Sequence, residues 1–200
     1  LSLLGLIIVV VFILMAIFGS VIAPYKYDEL IKGAARQAPS AAYLFGTDKL
    51  GRDVFSRVLW GAREVITIPG IATTIAVAIG AVIGMATAYF GGWIDEIISR
   101  LLDSLLAIPA LLLALVMLGV IGPSPIGIVI VIVLLYVPIV TRVIRSATLN
   151  IRSSGFIEAA KLRGEANWYI LFREILPSVL PALTVEAALR FSYAIFLTAS

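Results

Sequence analysis

Long apolar runs constrain this chain more strongly than any other feature of its sequence. The first covers residues 3–23, about 20 residues, which is enough for a helix to cross a hydrocarbon core of roughly 30 Å. Hydrophobic residues make up 62% of the chain, whereas soluble domains are roughly half apolar. Because so much apolar surface requires lipid around it, the sequence predicts an all-α, polytopic transmembrane helical bundle. Its visible spans are predicted at residues 3–23, 66–90, 104–120, 126–140 and 179–200.

Composition also narrows the chemistry that the chain can perform. It contains no cysteine and no histidine, which argues against thiol catalysis, imidazole acid–base chemistry and the usual zinc sites. The net charge of +3 is spread over connecting segments and forms no block typical of nucleic-acid binding. One acidic group lies close to a predicted membrane edge, and its spacing matches no metal motif: Asp95, Glu96 and Asp103. We therefore expect neither a metal site nor a catalytic residue, and a membrane-embedded enzyme is disfavoured.

A predicted interfacial helix covers residues 45–63, in the polar segment between the first two spans. Its apolar residues share one helical face: Phe55, Val58, Leu59 and Ala62. Its polar residues share the opposite face: Arg52, Asp53, Ser56 and Arg57. This pattern is typical of an amphipathic helix at a membrane surface, and Thr47 or Asp48 is predicted to cap its start. We divide the chain into residues 1–64, the first span with this external segment, and residues 65–200, the transmembrane core.

Small residues recur at every fourth position of the second span: Ala76, Gly80, Gly84 and Ala88. Such a stripe lets transmembrane helices approach closely, so we interpret it as packing rather than as a binding site. Pro69 is expected to kink this helix, and Pro109 is expected to bend the third span. Residues 91–103 are predicted to form a short charged turn, in which Arg100 and Asp103 could pair.

Charged residues also interrupt the C-terminal half, at residues 153–177. Gly164 suits a helix stop in which φ is positive, and Pro177 is expected to keep the following helix from running unbent into the last span. Four apolar residues in between have the i, i+3, i+4, i+7 spacing of one helical face: Trp168, Leu171, Phe172 and Ile175. The sequence therefore predicts two short helices outside the bilayer, separated at Gly164.

An ionisable pair stands in the last apolar run, where Glu186 and Arg190 are four residues apart on one helical face. Such a pair is costly at membrane depth unless it faces the bundle or water. Two interpretations stay open: a polar element of a transport path, or a mutually satisfied structural pair. The chain starts at Leu1 without methionine and stops at Ser200 within an apolar run, so we expect it to continue at one or both ends.

Two motifs resemble those of bacterial ABC importers. One resembles the EAA loop of their membrane-spanning subunits: Glu158, Ala159, Ala160, Gly164, Leu176 and Pro177. Glu174 departs from that pattern, because the family usually has an apolar residue two positions before the Leu-Pro pair. The other motif is similar to the segment after the first span in C-type permease subunits of dipeptide, oligopeptide and nickel importers: Gly46, Thr47, Asp48, Gly51, Arg52, Asp53, Ser56, Arg57, Gly61 and Arg63. For this second motif, seating of the bundle and direct substrate contact remain alternatives.

The resemblance implies a permease subunit of the bacterial inner membrane, with six spans in the full protein. Its EAA loop would be a cytoplasmic coupling helix at about residues 151–177 that docks on an ATPase. The implied partners are a second, homologous permease, two ABC ATPase subunits and an extracytoplasmic substrate-binding protein, with peptides or nickel as cargo. No G-x-x-x-x-G-K-[ST] stretch occurs in the sequence, so ATP and Mg²⁺ would bind the partner subunits and this chain would bind no cofactor.

A secondary transporter or channel driven by an ion gradient is the alternative from another class. It would account for Glu186, Arg190 and interrupted spans, but it leaves residues 153–177 without a role. Charge does not decide the orientation of the chain. With the N-terminus inside, the inner segments and the outer segment carry seven Lys and Arg residues each. The resemblance alone places residues 153–177 in the cytoplasm.

Overall fold

The computed structural model describes residues 2–122 and 124–199, and within them the regular secondary structure is helical, without a β-strand, while residues 23–53 contain no helix. The helices are α1 (Ser2–Ile22), α2 (Val54–Phe90), α3 (Gly92–Leu106), α4 (Ala110–Ile121), α5 (Pro125–Ile151), α6 (Gly155–Leu162), α7 (Asn167–Tyr169), a π-helical segment (Ile170–Ile175) and α8 (Leu176–Ala199). Contacts divide the chain into two compact units, Leu1–Thr67 and Ile68–Ser200.

Four continuous helical segments are long and apolar enough to cross a membrane: Leu3–Ile22, Val54–Phe90, Pro125–Ile151 and Asn167–Thr198. A fifth span results if α3 and α4 count as one broken span. Most of the large apolar side chains of α1 are exposed, as expected for a helix that is surrounded by lipid. The predicted all-α transmembrane bundle is therefore confirmed.

The predicted separate interfacial helix at residues 45–63 is wrong. Helix α2 begins at Val54 and continues through Arg63 to Phe90 without a break, over 37 residues. Its first turn is capped by Asp53, whose Oδ2 accepts from the Ser56 N–H at 2.7 Å, and not by Thr47 or Asp48. Pro69 does not interrupt the helix, since transmembrane helices tolerate proline where neighbouring groups satisfy the backbone.

The small-residue stripe of α2 packs against α5, as predicted. A Cβ on Gly80 would lie 2.7 Å from the Val140 Cβ, and one on Gly84 would lie 2.7 Å from the Thr141 carbonyl oxygen. Ala76 and Ala88 in the same stripe are fully buried. Lipid supplies little hydrophobic force between helices, so close backbone contact and van der Waals packing hold this pair.

The predicted turn at residues 91–103 is also wrong, whereas the predicted bend of the third span at Pro109 is confirmed. Residues 92–106 form α3, and α4 leaves it at an angle of 86° after a break that contains Pro109. Arg100 pairs with Glu96 at 2.6 Å, one helical turn away, rather than with Asp103. Asp103 instead accepts from Arg142 of α5.

Helix α5 extends well beyond the predicted span at residues 126–140. It starts at a cap in which Ser124 Oγ accepts from the Gly127 N–H at 3.0 Å, and it runs to Ile151. Its charged residues do not form a loop, because α3 neutralises them. Arg145 donates from Nε and Nη2 to the two carboxylate oxygens of Asp95, both at 2.6 Å.

We predict that Gly84→Val destabilises the second unit. The new side chain would meet backbone atoms of α5, which cannot move aside as a side chain can, and overpacking of this kind costs about 1–3 kcal/mol. Gly61→Ala in the same helix is the control, since a Cβ there meets nothing within 4 Å. Thermal unfolding of the purified full-length protein in detergent measures both variants. Equal melting temperatures for Gly84→Val and the wild type would contradict this packing.

Candidate functional site

Helix α6 carries the EAA-like residues and ends in a glycine stop. Gly164 has a φ of 76°, and its N–H donates to the Lys161 carbonyl oxygen at 3.0 Å. The Glu165 N–H donates to the Ala160 carbonyl oxygen at 3.2 Å. These two bonds close the end of the helix in a Schellman motif. The predicted positive φ is confirmed, and a Cβ at Gly164 would meet nothing within 4 Å, so backbone conformation alone favours glycine there.

One face of α6 is fully buried in what we name the basal cluster. Ile157 and Ala160 lie on this face, and neither is exposed. The remaining members come from α2, α5, the π segment and α8: Met85, Val140, Ile144, Ile170, Ile175 and Val179. The basal cluster therefore joins α6 to three long helices, α2, α5 and α8. Sequence reasoning missed Ile157, although an apolar residue three positions before Ala160 has the spacing of a shared helical face.

The opposite face of α6 exposes apolar side chains. Leu162 is 89% exposed and Phe156 is 43% exposed, and Ala159 lies between them at three-residue spacing and is exposed as well. The two alanines of the EAA-like motif therefore have different surroundings, because Ala160 packs inward and Ala159 faces outward. Glu158 is exposed in the first turn of α6, where a negative charge suits the helix dipole.

The second half of the segment differs from its prediction in two ways. Helix continues through Pro177 into α8 without a break, because a π-helical turn precedes the proline and the Leu176 N–H bonds to the Leu171 carbonyl oxygen. That wider turn changes which residues share a face. Ile170 and Ile175, five apart, are the buried pair. Trp168 and Phe172 are exposed, at 65% and 45%, so the predicted apolar face is wrong for them.

Polar contacts hold α6 and α7 against the end of α2. Tyr89 lies between them, since its hydroxyl is 3.1 Å from Asn167 Oδ1 and its ring centroid is 5.0 Å from Lys161 Nζ. Arg163 reaches carboxylates on the far side of the glycine stop, Glu165 at 3.4 Å and Glu174 at 3.6 Å. Glu174, the departure from the family pattern, thus has an ion-pair partner. Leu176 packs beside the basal cluster, and Pro177 is exposed.

In the first unit, two arginines of the motif at residues 46–63 converge on the carboxylate of Asp48. Asp48 accepts from the N–H groups of Leu50 and Arg52 at 2.8 and 3.0 Å, from Arg52 Nε at 2.8 Å and from Arg57 Nη1 at 2.7 Å. The backbone bond from Arg52, helped by its guanidinium, holds the pKa of the Asp48 carboxyl well below its usual range. The motif therefore closes a polar loop around a carboxylate that stays ionised.

Other residues of this motif hold the same loop in place through close backbone contacts and hydrogen bonds. Gly46 and Gly51 have φ of 72° and 78°, and a Cβ on either would lie within 2.8 Å of a carbonyl oxygen, at 2.5 Å for Gly46. Thr47 is buried, and its hydroxyl bonds to the carbonyl of Ala34 and the N–H of Gln37. Ser56 accepts from the Tyr25 N–H at 3.1 Å. Gly61 and Arg63 take no part in these bonds.

The pair in the last span forms as predicted, and it adjoins a cavity. Arg190 Nε lies 2.7 Å from Glu186 Oε1, and its guanidinium stands 5.5 and 5.4 Å from the rings of Tyr136 and Tyr193. A mostly apolar cavity of about 550 Å³, between the α3–α4 break, α5 and α8, is lined by Arg190 and both tyrosines. Whether the pair serves transport or structure stays a prediction.

No three acidic side chains converge as a metal site in residues 2–122 and 124–199.

We predict that Asp48→Asn lowers the melting temperature at pH 7. The depressed pKa means that the stabilisation is fully present above the ordinary aspartate pKa of 3.8 and is lost as pH falls toward the lower folded value. The difference between variant and wild type should therefore shrink below about pH 4. Asp28→Asn, an exposed carboxylate of the same segment, is the control and should have no effect. A difference that stays constant from pH 7 to pH 3 would contradict the assignment.

Comparison with known proteins identifies the family of this chain. Residues 80–200 match the model described as "binding-protein-dependent transport system inner membrane component". Residues 1–39 match the "N-terminal TM domain of oligopeptide transport permease C". The inner-membrane location in the first description agrees with the helices that are long enough to cross a bilayer.

Individual relatives extend over nearly the whole chain. The dipeptide transport system permease protein DppC of Alkalihalophilus pseudofirmus is 41% identical over 98% of this chain. The probable D,D-dipeptide transport system permease protein DdpC of Escherichia coli K12 is 35% identical over 97% of it. The glutathione transport system permease protein GsiD of Escherichia coli O157:H7 is 36% identical over 96% of it. The chain spans 64%, 65% and 64% of these relatives' lengths.

The family resemblance inferred from the two motifs is thereby confirmed. The match at residues 80–200 includes the whole of α6, and the relatives also cover the segment that holds the Asp48 loop. This chain belongs to the family of binding-protein-dependent transport system inner membrane components.

Proposed function

We propose that the chain is a permease subunit of an ATP-driven ABC importer, which forms part of the path for its cargo and hydrolyses no ATP itself. In this proposal it assembles with a second, homologous permease, two ATPase subunits that hold ATP and Mg²⁺, and an extracytoplasmic substrate-binding protein. Small peptides are the proposed cargo, since the relatives above are named for dipeptides, D,D-dipeptides and glutathione. None of these three is named for nickel.

The observation that carries this proposal is the two-faced packing of α6. Its inner face is locked into the basal cluster by Ile157 and Ala160, while its outer face leaves Phe156, Ala159 and Leu162 exposed. A short helix that projects apolar side chains into water is expected to have a protein partner. We assign that partner as the ATPase, with α6 on the cytoplasmic side as the coupling helix.

The same packing supplies a route for mechanical coupling. The basal cluster contains residues of α2, α5, the π segment and α8, so a displacement of α6 must move or strain all of them. Close-packed interiors transmit such displacements because they deform little. A rigid-body movement of the ATPases could therefore reach the transmembrane helices through α6.

A pair of adjacent substitutions tests this function. Ala159→Trp changes only the exposed face, so we expect normal membrane abundance and melting temperature but at least tenfold lower ATP-dependent peptide uptake. Ala160→Trp must enter the basal cluster, so we expect loss of folded protein, since overpacking costs about 1–3 kcal/mol or more. Both are measured in the complete importer, reconstituted in vesicles with its binding protein.

A transporter driven by an ion gradient would give different results in this assay. If Ala159→Trp left uptake unchanged while the protein stayed folded, the exposed face of α6 would not be the coupling surface. Uptake that persisted without the ATPases and stopped with an ionophore would identify the gradient-driven class instead.

A further inference from the structure

Two adjacent cavities flank the start of α2 in the first unit. One has a volume of about 440 Å³ and a mixed lining that includes Tyr27, Arg57, Trp60 and Glu64. The other has a volume of about 370 Å³ and lies between α1 and α2, lined mainly by Ile13, Ala16, Ile17 and Ile66. Arg63 and Thr67 line both cavities. A polar compartment therefore continues into an apolar groove, with a guanidinium where they meet.

Within residues 2–122 and 124–199, the two charges at this junction have no ion-pair partner. In the described residues, neither Arg63 nor Glu64 lies within 4.0 Å of an oppositely charged group, and both are exposed. Arg57, the other cation of the polar cavity, is already bound to Asp48 at 2.7 Å. What remains is one positive and one negative side chain, adjacent in sequence.

The depth of Arg63 favours an anionic partner. Gly19 of α1 contacts Leu59 of α2, and Arg63 shares the apolar groove with Ala16 and Ile17. Those residues are five or six positions before the end of α1 at Ile22, which places them roughly 8 Å inside its apolar length. A guanidinium at such a level is costly unless it reaches water or an anion.

We propose that these two cavities form a binding site for one membrane phospholipid. The phosphate binds Arg63, whose planar fork suits phosphate oxygens, and one acyl chain lies in the groove beside Ile13, Ile17 and Ile66. The headgroup occupies the polar cavity, where Trp60 and Tyr27 provide the aromatic rings typical of a membrane interface. Trp60 is held in place there, since its Nε1 donates to the Tyr25 carbonyl oxygen at 3.3 Å.

Charge complementarity selects the headgroup class. Arg63 can pair with the phosphate, and Glu64, which lines only the polar cavity, can pair with the cationic amine of the headgroup. An aminophospholipid such as phosphatidylethanolamine offers both charges, whereas phosphatidylglycerol offers only the phosphate. The site is therefore expected to bind a zwitterionic aminophospholipid. This lipid would contact both α1 and the start of α2.

Native mass spectrometry of the full-length protein, purified with its partner subunits and stripped of lipid, tests this site. The probes are phosphatidylethanolamine, phosphatidylglycerol and inorganic phosphate, each added separately. We expect one phosphatidylethanolamine to bind at least tenfold more tightly than phosphatidylglycerol, and inorganic phosphate not to displace it. Arg63→Gln should weaken this binding at least tenfold, and Glu64→Gln should abolish the preference between the two lipids. Lys49→Gln, which changes an exposed cation outside both cavities, is the control and should leave binding unchanged.

A second variant separates a lipid from a free anion. Ile17→Trp fills the apolar groove without changing any charge, so it should weaken phosphatidylethanolamine binding at least tenfold. Unchanged lipid binding in Ile17→Trp, or displacement by inorganic phosphate, would show an anion site without an acyl chain and would overturn the proposal. Wild-type binding in Arg63→Gln would overturn it as well, and an unaltered lipid preference in Glu64→Gln would refute the headgroup assignment.

Discussion

Burial of one face of α6 is the constraint on which the rest of the account depends. Ile157 and Ala160 are fully enclosed by residues of α2, α5, the π segment and α8. Without that burial α6 would be a short helix on a mobile connector, since isolated helices of this length are unstable in water. With it, an eight-residue helix becomes a rigid projection of the transmembrane bundle whose other face remains available to a partner.

Close backbone packing extends this rigidity into the membrane. Gly80 and Gly84 place α2 against Val140 and Thr141 of α5, and Val140 is also a member of the basal cluster. The contact between α2 and α5 is therefore continuous with the contact that seats α6. In lipid, apolar side chains gain little free energy by moving from the hydrocarbon to a helix interface. Close packing contacts of this kind therefore provide most of the free energy of helix association. A force on α6 consequently acts on a packed pair of helices rather than on a flexible chain.

Local chemistry was predictable from the sequence, and features that depend on distant partners were not. The helix stop at Gly164 requires a positive φ, and the stripe at Gly80 and Gly84 allows close approach of two backbones. Both features could therefore be predicted from the residue types. The length of α5 was missed, because Arg145 looks like a loop residue until Asp95 of α3 neutralises it. The inner face after Gly164 was missed too, since the five-residue spacing of Ile170 and Ile175 belongs to a π turn that no helical period predicts.

Cysteine labelling of α6 tests the central claim most directly, because residues 1–200 contain no cysteine. Single variants Ala159→Cys, Ala160→Cys and Lys49→Cys, in otherwise cysteine-free full-length protein, are treated with a membrane-impermeant maleimide in intact cells and in inside-out vesicles. The account predicts that Ala159→Cys reacts only in inside-out vesicles stripped of the ATPases, is protected when they are bound, and that Ala160→Cys stays unreactive. Lys49→Cys should react in intact cells when the label can reach the outer surface of the inner membrane. It should not react in inside-out vesicles. Labelling of Ala159→Cys from outside, or equal labelling with and without the ATPases, would contradict it.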